Sequence, residues 1–332
     1  MFLDFSCDTL HTHYAHKLLS PLTSQRRNII TMSTPENGSA NASAHHNEPP
    51  SWEPPRRSAL NDAAHFINRG GLGHATQNPT PVLPSVPEDI LAALDRYDAQ
   101  FLPHQSKSLS GIALRSVLLG IVFALSLTLT LYLVSISQPL WRLPCFLATL
   151  STFHFLEFWT TAYANTNSAT TTSFLLSSNG SAYTIAHSAS FFETLISHFF
   201  APSVLPPSLQ YLSLFLGLSL IIIGQWTRAS AMLTAGSNFS HIVRHTKASS
   251  HRLVTSGIYS VLRHPSYFGY YWWAIGTQLM CGNRLCLVAY CFILFRFFDS
   301  RIKGEEELLV KFFGEEYVAY MARTWIGIPG VR

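Results

Sequence analysis

The apolar pattern of this chain changes character near residue 105. Ahead of that point no period persists, and Pro, Ser, Asn and His fill stretches such as SANASAHHNEPPSWEPPRRS and NPTPVLPSVPED. A segment so poor in apolar side chains cannot bury enough surface to offset the entropy lost on ordering. The pattern predicts a disordered polar tail over residues 1–105 and a membrane-embedded domain over residues 106–332. Within the tail, residues 88–101 (EDILAALDRYDAQF) read as one short amphipathic surface helix.

Beyond the boundary, apolar runs reach the roughly 20 residues needed to cross a ~30 Å hydrocarbon layer. Leu109 to Ser137 is the first, with Arg115 near its start and able to snorkel to the headgroups. Pro139 and Pro144 bracket a short turn, so Leu143 to Ala164 returns as a hairpin. A weaker run, Tyr183 to Phe200, carries Glu193 and His198, and Pro202, Pro206 and Pro207 break the chain after it. Leu209 to Trp226 is a strong span ending at Arg228. The block from Tyr267 to Phe298 is too long for one ordinary span and is interrupted by Cys281-Gly282-Asn283-Arg284, which suits a helical hairpin. The expected fold class is an all-α polytopic membrane protein of about six transmembrane segments, including this C-terminal hairpin, with a cytosolic cofactor pocket.

Composition sharpens the picture. The chain is 48% hydrophobic and 12% charged, where a soluble domain carries about 25% charged residues. A net charge of +4 without a basic run interleaved with aromatics leaves no footprint for nucleic acid. The loop from Ala229 to Ser266 holds Arg244, Lys247, Arg252 and Arg263 and almost no acid, so the positive-inside tendency places it in the cytosol. An even span count puts both termini on that side. The sequons headed by Asn37, Asn41, Asn179 and Asn238 then face the cytosol and stay unglycosylated. The N-terminus lacks the pattern of a signal peptide, and Met32 could serve as a later start. Cys7, Cys145, Cys281, Cys286 and Cys291 form no CxxC pair and read as reduced or lipid-facing, with no metal set expected.

Several polar residues have plain structural readings. His154 and Glu157 in FHFLEFW lie three apart on one helix face and read as a paired buried hydrogen bond. Tyr270, Tyr271, Trp272 and Trp273 read as an interfacial belt and packing surface. Glu305, Glu306 and Glu307 could be a solvated helix start, and Glu315 and Glu316 read as solvated. The sharper reading rests on combination. Ser256-Gly257-Ile258-Tyr259 is a turn, and Pro265 keeps His264 out of helical geometry while suiting the first turn of a helix. Free backbone N–H groups at that helix start, with Arg263 and His264 just ahead, suit a carboxylate or another anion. Arg301 and Glu305 lie four apart at the same interface. The hairpin thus brings two clusters together, one of His251, Tyr259, Arg263, His264 and Tyr267, the other of Arg301, Glu305 and Glu306.

RHPSYFGYYWWAIGTQ, AGSNFSHIV, HRLVTSGIYS and RIKGEEELLVKFFGEEYVAY, with FHFLEFW upstream, together resemble the isoprenylcysteine carboxyl methyltransferases of the endoplasmic reticulum, over about residues 110–332. RHPxYxG alone recurs in other membrane methyltransferases and in sterol reductases; the combination is specific. The resemblance implies a multi-pass enzyme of the endoplasmic reticulum membrane with its active site facing the cytosol. Its reaction would move a methyl group from S-adenosyl-L-methionine to the C-terminal carboxylate of a prenylated cysteine. Its partners would be membrane lipid and prenylated CaaX proteins, such as Ras-like small GTPases and prenylated peptide pheromones.

Carried over residue by residue, the resemblance places the cofactor against Arg244, His251, Arg252, Leu253, Val254, Tyr259, His264, Pro265, Ser266 and Tyr267, with Glu305 reaching it from the other cluster. Arg301 would bind the substrate carboxylate, and Arg301 and Glu305 form the expected catalytic pair. Arg244 stands where the animal members have Gln. No GxGxxG fingerprint is present, so the cofactor site differs from the soluble dinucleotide-type fold. A phospholipid N-methyltransferase would share the proline-histidine turn and the acidic pair but would not need Arg301. A sterol reductase would bind NADPH and need a second polar cluster. A non-catalytic scaffold would make both clusters structural ion pairs.

Overall fold

The computed structural model describes residues 87–200, 205–243, 245–247 and 251–331. The chain divides into two units, Met1–Gly70 and Gly71–Arg332, and every described residue belongs to the second. Residues 1–86 of the expected tail, with Cys7, Asn37 and Asn41, lie outside the described residues, as does Arg244.

Among the described residues the chain is helical, with one isolated bridge between Leu262 and Trp325. Helix α1, Glu88–Ala99, buries none of its side chains, as expected of a surface helix. Thr171 N donates to Ser106 O at 2.7 Å, tying the approach to the membrane part onto a later loop.

Helix α2, Leu109–Ser135, starts on Ser108, whose hydroxyl accepts Gly111 N at 3.1 Å. At about 1.5 Å per residue its 27 residues span about 40 Å, enough to cross a bilayer. Helix α3, Arg142–Ala164, returns after a short 3-10 turn at Pro139–Trp141. Helices α4, Gly180–Phe200, and α5, Pro207–Ala235, follow. By length and composition, Leu109–Ser135 and Pro207–Asn238 are both long and apolar enough to cross a membrane. Helix α5 runs nine residues beyond the expected end at Trp226, which places Arg228 inside the helix and buried, not at a boundary.

Helix α6, Pro265–Cys281, and helix α7, Leu285–Phe313, form the expected hairpin, turned by Gly282 at φ +76°. Glu193, the acid that weakens the third apolar run, closes this turn. Its Oε1 accepts Arg284 N at 2.6 Å and Leu285 N at 2.8 Å, and its Oε2 accepts Cys286 N at 2.7 Å. These are the orphan donors at the start of α7, satisfied by a carboxylate from a neighbouring helix. Helix α7 does not stop at Phe298 but continues through its charged half, beyond the apolar stretch. Helix α8, Glu315–Arg323, completes the set and leaves Glu315 and Glu316 exposed.

Helices α5 and α6 meet backbone to backbone. Gly217 and Gly224 face Gly276 and Gly269, and a Cβ on Gly217, Gly224, Gly269 or Gly276 would lie 2.6–2.7 Å from a backbone atom of the other helix. Side-chain-free faces let two helices approach closely where lipid supplies no hydrophobic driving force. The core beside this seam is aromatic: Phe153 stacks on Trp273 at 4.4 Å, flanked by buried Tyr271, Tyr290 and Phe298. Of the belt and packing surface expected over Tyr270–Trp273, the packing is seen: Tyr271 and Trp273 are core residues, and Trp272 donates its indole N–H to Gly327 O at 3.1 Å. Cys281 is buried against Phe146 and Met280, away from lipid.

After α8 the chain doubles back as a strap. Ile326, Ile328 and Val331 join the main core, Arg263 N donates to Trp325 O at 2.9 Å, and Trp325 N donates to Val261 O at 3.0 Å. Gly327, at φ +76°, passes so close to Phe268 that a Cβ would lie 2.5 Å from its ring.

Candidate active site

The site forms where the start of α6 meets the charged half of α7. Pro265 occupies the first position of α6, and His264 precedes it in non-helical geometry, as the X-Pro restriction requires. That geometry turns Arg263 and His264 toward α7. Arg263 Nε donates to Glu306 Oε1 at 2.6 Å, and His264 Nε2 lies 3.1 Å from the same oxygen. Arg263 Nη1 also donates to Thr324 O at 2.8 Å, so the strap braces the cluster. Glu306 thus holds the Arg263 and His264 side chains; it is buried and not part of a solvated helix start. Burial alone would raise the Glu306 carboxyl, but the bonds from His264 and Arg263 outweigh it and hold its pKa below the ordinary value.

Tyr267, the third residue of α6, joins Arg301 and Glu305, the pair expected to be catalytic. Its hydroxyl donates to Glu305 Oε2 at 2.5 Å and accepts from Arg301 Nε at 3.0 Å. Its ring lies parallel to His264 at 5.5 Å, and the Arg301 guanidinium sits 5.6 Å from the same ring. Arg301 Nη2 donates to His241 O at 2.7 Å. These bonds use the Nε edge of the guanidinium and leave Nη1 and the second Nη2 hydrogen for another planar acceptor. Arg301 and Glu305, four apart on α7, are linked through Tyr267.

Behind this layer lies a buried ion pair. Glu157 on α3 binds Arg228 on α5 through both oxygens, Oε1 with Nε and Oε2 with Nη2 at 2.8 Å. Arg228 Nη1 donates to Ser266 O at 3.2 Å and Ser266 Oγ at 2.9 Å. Its guanidinium lies between the Phe153 and Tyr270 rings, 5.5 Å from each. Removing one partner of such a pair strands a buried charge at a cost of about 3–5 kcal/mol. His154, expected to pair with Glu157, instead has Nδ1 2.8 Å from Phe174 O and Nε2 3.1 Å from the Tyr183 hydroxyl. Both are buried and bonded, to different partners.

A family model described as "Isoprenylcysteine carboxyl methyltransferase (ICMT) family" matches residues 216–311. Relatives named protein-S-isoprenylcysteine O-methyltransferase are similar over longer stretches. That of Saccharomyces cerevisiae is 47% identical over 55% of this chain and 78% of its own length. That of Homo sapiens is 40% identical over 67% of this chain and 75% of its own.

The chain belongs to this family.

A solved structure of the eukaryotic intramembrane Ras methyltransferase ICMT is 32% identical, with a TM-score of 0.62 over 82% of this chain and 91% of that one. The family model covers α5 from Leu216, the loop, α6 and α7 to Lys311, and so includes every predicted site residue.

Of the remaining predicted cofactor contacts, Arg252 is fixed by its own N–H to Asn238 Oδ1 at 3.0 Å. Tyr259 O accepts the Tyr320 hydroxyl at 2.7 Å; burial, then the Tyr320 and Glu305 charges, raise the Tyr259 phenol far above its ordinary pKa. Leu253 and Val254 are half-buried along the approach to that turn, beside His251. Ser266 is turned to Arg228, so its hydroxyl belongs to the supporting layer. Two groups escaped the sequence reading, Arg228 as Glu157's partner and His241 beside Arg301. Their signal was present in AGSNFSHIV, which follows Arg228 closely and carries His241.

Proposed function

We propose that this chain methylates the C-terminal carboxylate of prenylated cysteine, using S-adenosyl-L-methionine, in the endoplasmic reticulum membrane with the site facing the cytosol. The observation that carries this is the Tyr267 hydroxyl, which joins Arg301 and Glu305 across α6 and α7 while leaving one edge of Arg301 for a planar anion. An amine substrate would gain nothing from a guanidinium at that point.

A carboxylate is ionised at neutral pH, so it needs no general base. It needs to be stripped of water and held in line with the methyl carbon, within about 3–3.5 Å. Arg301, fixed by Tyr267 and by the His241 carbonyl, positions it. The methyl donor supplies a sulfonium methyl group; as the ester C–O bond forms, the S–C bond breaks and a neutral thioether leaves. Glu305 Oε1, outside the bond to Tyr267, suits the donor's positive charge, as do the parallel faces of His264 and Tyr267. Charge is neutralised on transfer, which a low-dielectric site favours. His251, Arg252, Leu253, Val254, Tyr259 and Pro265 line the approach from the basic loop, where a polar donor enters. The prenyl chain, at about 0.8 kcal/mol per buried CH₂, is received from the bilayer through a lateral opening between helices. Ras-like small GTPases and prenylated peptide pheromones are the substrates this chemistry suits.

The test is transfer from labelled S-adenosylmethionine to a farnesylated cysteine analogue in membranes containing this chain. A base-labile ester that forms with the native chain and is lost in Arg301→Ala and Glu305→Ala supports the reading. Label on phospholipid amines instead, or on neither acceptor, overturns it.

A further inference from the structure

The turn that carries Tyr259 is held from outside by a side chain with no part in the chemistry above. Gly257–Ser260 is a single 3-10 turn. It is seated against α5, where a Cβ on Gly257 would lie 3.1 Å from Thr234 Cγ2. Four residues are too few for such a turn to hold itself. Ser256 O accepts Tyr259 N at 3.1 Å, Gly257 O accepts Ser260 Oγ at 2.7 Å, and Ile258 O accepts Leu262 N at 3.1 Å. Tyr259 O has no local donor among the described residues. It accepts the Tyr320 hydroxyl at 2.7 Å, from a residue 61 positions away on α8. A buried or half-buried carbonyl needs such a donor, and here only α8 supplies one. Tyr320 is 2% exposed and packs on Tyr317 with the two rings 5.8 Å apart. The Tyr259 phenol lies within electrostatic reach of both Tyr320 and Glu305, so the turn stands between α8 and the site carboxylate.

We propose that Tyr320 is a positioning residue for the methyl donor: its hydroxyl fixes the Tyr259 carbonyl, and with it the turn from which Tyr259 meets the donor. This rests on the reading that places S-adenosyl-L-methionine against Tyr259. The adjoining residues are secured in another way. Trp325 N donates to Val261 O at 3.0 Å and Arg263 N donates to Trp325 O at 2.9 Å, and these backbone bonds survive a change of side chain at Tyr320. Removing the Tyr320 hydroxyl therefore loosens Tyr259 while Arg263 keeps its own bonds to the strap and to Glu306. Arg301 keeps its bonds to Tyr267 and His241, so the carboxylate side of the site is untouched. A tyrosine kept only for packing would give up its hydroxyl without any effect on the donor.

The experiment measures equilibrium binding of labelled S-adenosylmethionine to the purified full chain, alongside both KM values for methyl transfer to N-acetyl-S-farnesylcysteine. Tyr320→Phe keeps the ring and removes the hydroxyl. It is expected to weaken donor binding and raise the donor KM about fivefold, the scale of one hydrogen bond, while KM for the farnesylated acid holds. Thr324→Val is the structural comparison. It deletes a hydroxyl bond of the same 2.7 Å length, to Tyr320 O at the end of α8, and leaves the Thr324 carbonyl in place. That variant is expected to unfold at a lower temperature with donor affinity unchanged. Affinity and KM are independent of how much of a variant folds, so a reduced yield of Tyr320→Phe cannot imitate the effect. Donor affinity unmoved in Tyr320→Phe overturns the positioning role. So does an equal weakening in Thr324→Val, or a rise in both KM values alike, since either would mean a general loosening around α8. A native chain that binds no S-adenosylmethionine brings down the donor site of the proposed function as well, which sets that failure apart from an unmoved affinity.

Discussion

Gly224→Ala tests whether the α5–α6 seam sets the geometry of the site. A Cβ at this position would lie 2.6 Å from Gly269 O and Trp273 N and 2.9 Å from Trp273 Cα, all backbone atoms with no flexible end to give way. Ordinary contact begins near 3.4 Å, so the seam must open by about 0.8 Å. One turn along α5, Arg228 Nη1 reaches Ser266 at 2.9 and 3.2 Å. The same displacement carries both contacts past about 3.6 Å, where hydrogen bonding ends. Overpacking costs about 1–3 kcal/mol, and loss of a charge-assisted bond about 1.5–3 kcal/mol. The helix-propensity gain of Ala over Gly returns about 1 kcal/mol. The expected net loss is about 1.5–5 kcal/mol, with lower methyl transfer because α6 carries Tyr267. Gly120→Ala is the internal control, since nothing lies within 4 Å of its Cβ position. That variant is expected to be neutral or slightly stabilised. Thermal unfolding in detergent, paired with initial rates, separates the two. Equal unfolding midpoints for the two variants would refute the seam's role.

Three further outcomes follow from the same contacts. Tyr267→Phe keeps the ring beside His264 but removes the hydroxyl between Arg301 and Glu305, so kcat is expected to fall about 10–100-fold with little change in unfolding midpoint, as for a lost positioning group. Glu306 has a pKa held below the ordinary 4.5, so its stabilising bonds are fully present above that value and are lost as pH falls through the lower folded value; acid unfolding curves should show that limb, and Glu306→Gln should flatten it. Glu193→Ala uncovers three backbone donors at the start of α7 and is expected to cost about 2–4 kcal/mol in thermal unfolding while leaving both KM values unchanged, since Glu193 lies at the other end of the apolar half of α7 from Arg301.

The helices were legible because lipid makes their signal long and continuous, and Pro139, Pro207, Pro265 and Gly282 mark their ends as the backbone rules require. The two polar clusters were legible as a pair because the hairpin at Gly282 leaves them at one end. The length of α5 was not, because Arg228 reads as a headgroup anchor unless its partner is known, and Glu157 is 71 positions away. For the same reason His154 and Glu157 read as partners: helix spacing brings two side chains to one face but cannot say what the opposite helix offers. The glycine seam was hidden in a different way. Gly217 and Gly224 are seven apart, as are Gly269 and Gly276, and each pair means little until the other lies against it. The strap was missed because Thr324–Val331 has no period, and its burial comes from being laid across α6.

The polar contacts of the site run in series. Arg301 is aimed by the Tyr267 hydroxyl and the His241 carbonyl; the His241 ring rests against Glu157; Glu157 is neutralised by Arg228; and Arg228 is bonded to Ser266, one residue before Tyr267. The series therefore closes on itself through α3, α5, α6 and α7. A closed ring of contacts between rigid helices resists small displacements, because a shift at one joint stretches the others. That matters for a reaction whose demand is alignment: a carboxylate and a methyl carbon must meet in line, and a misplacement of about 1 Å can cost 10²-fold in rate. A buried Glu157–Arg228 pair adds little net stability compared with apolar packing of the same volume. Its place next to Arg301, the proposed carboxylate binder, is better explained by the geometry it fixes. Replacing both partners together, as Glu157→Gln with Arg228→Met, should accordingly restore much of the thermal stability lost in either single variant while leaving methyl transfer low. Full recovery of both would mean the ring has no share in aiming Arg301.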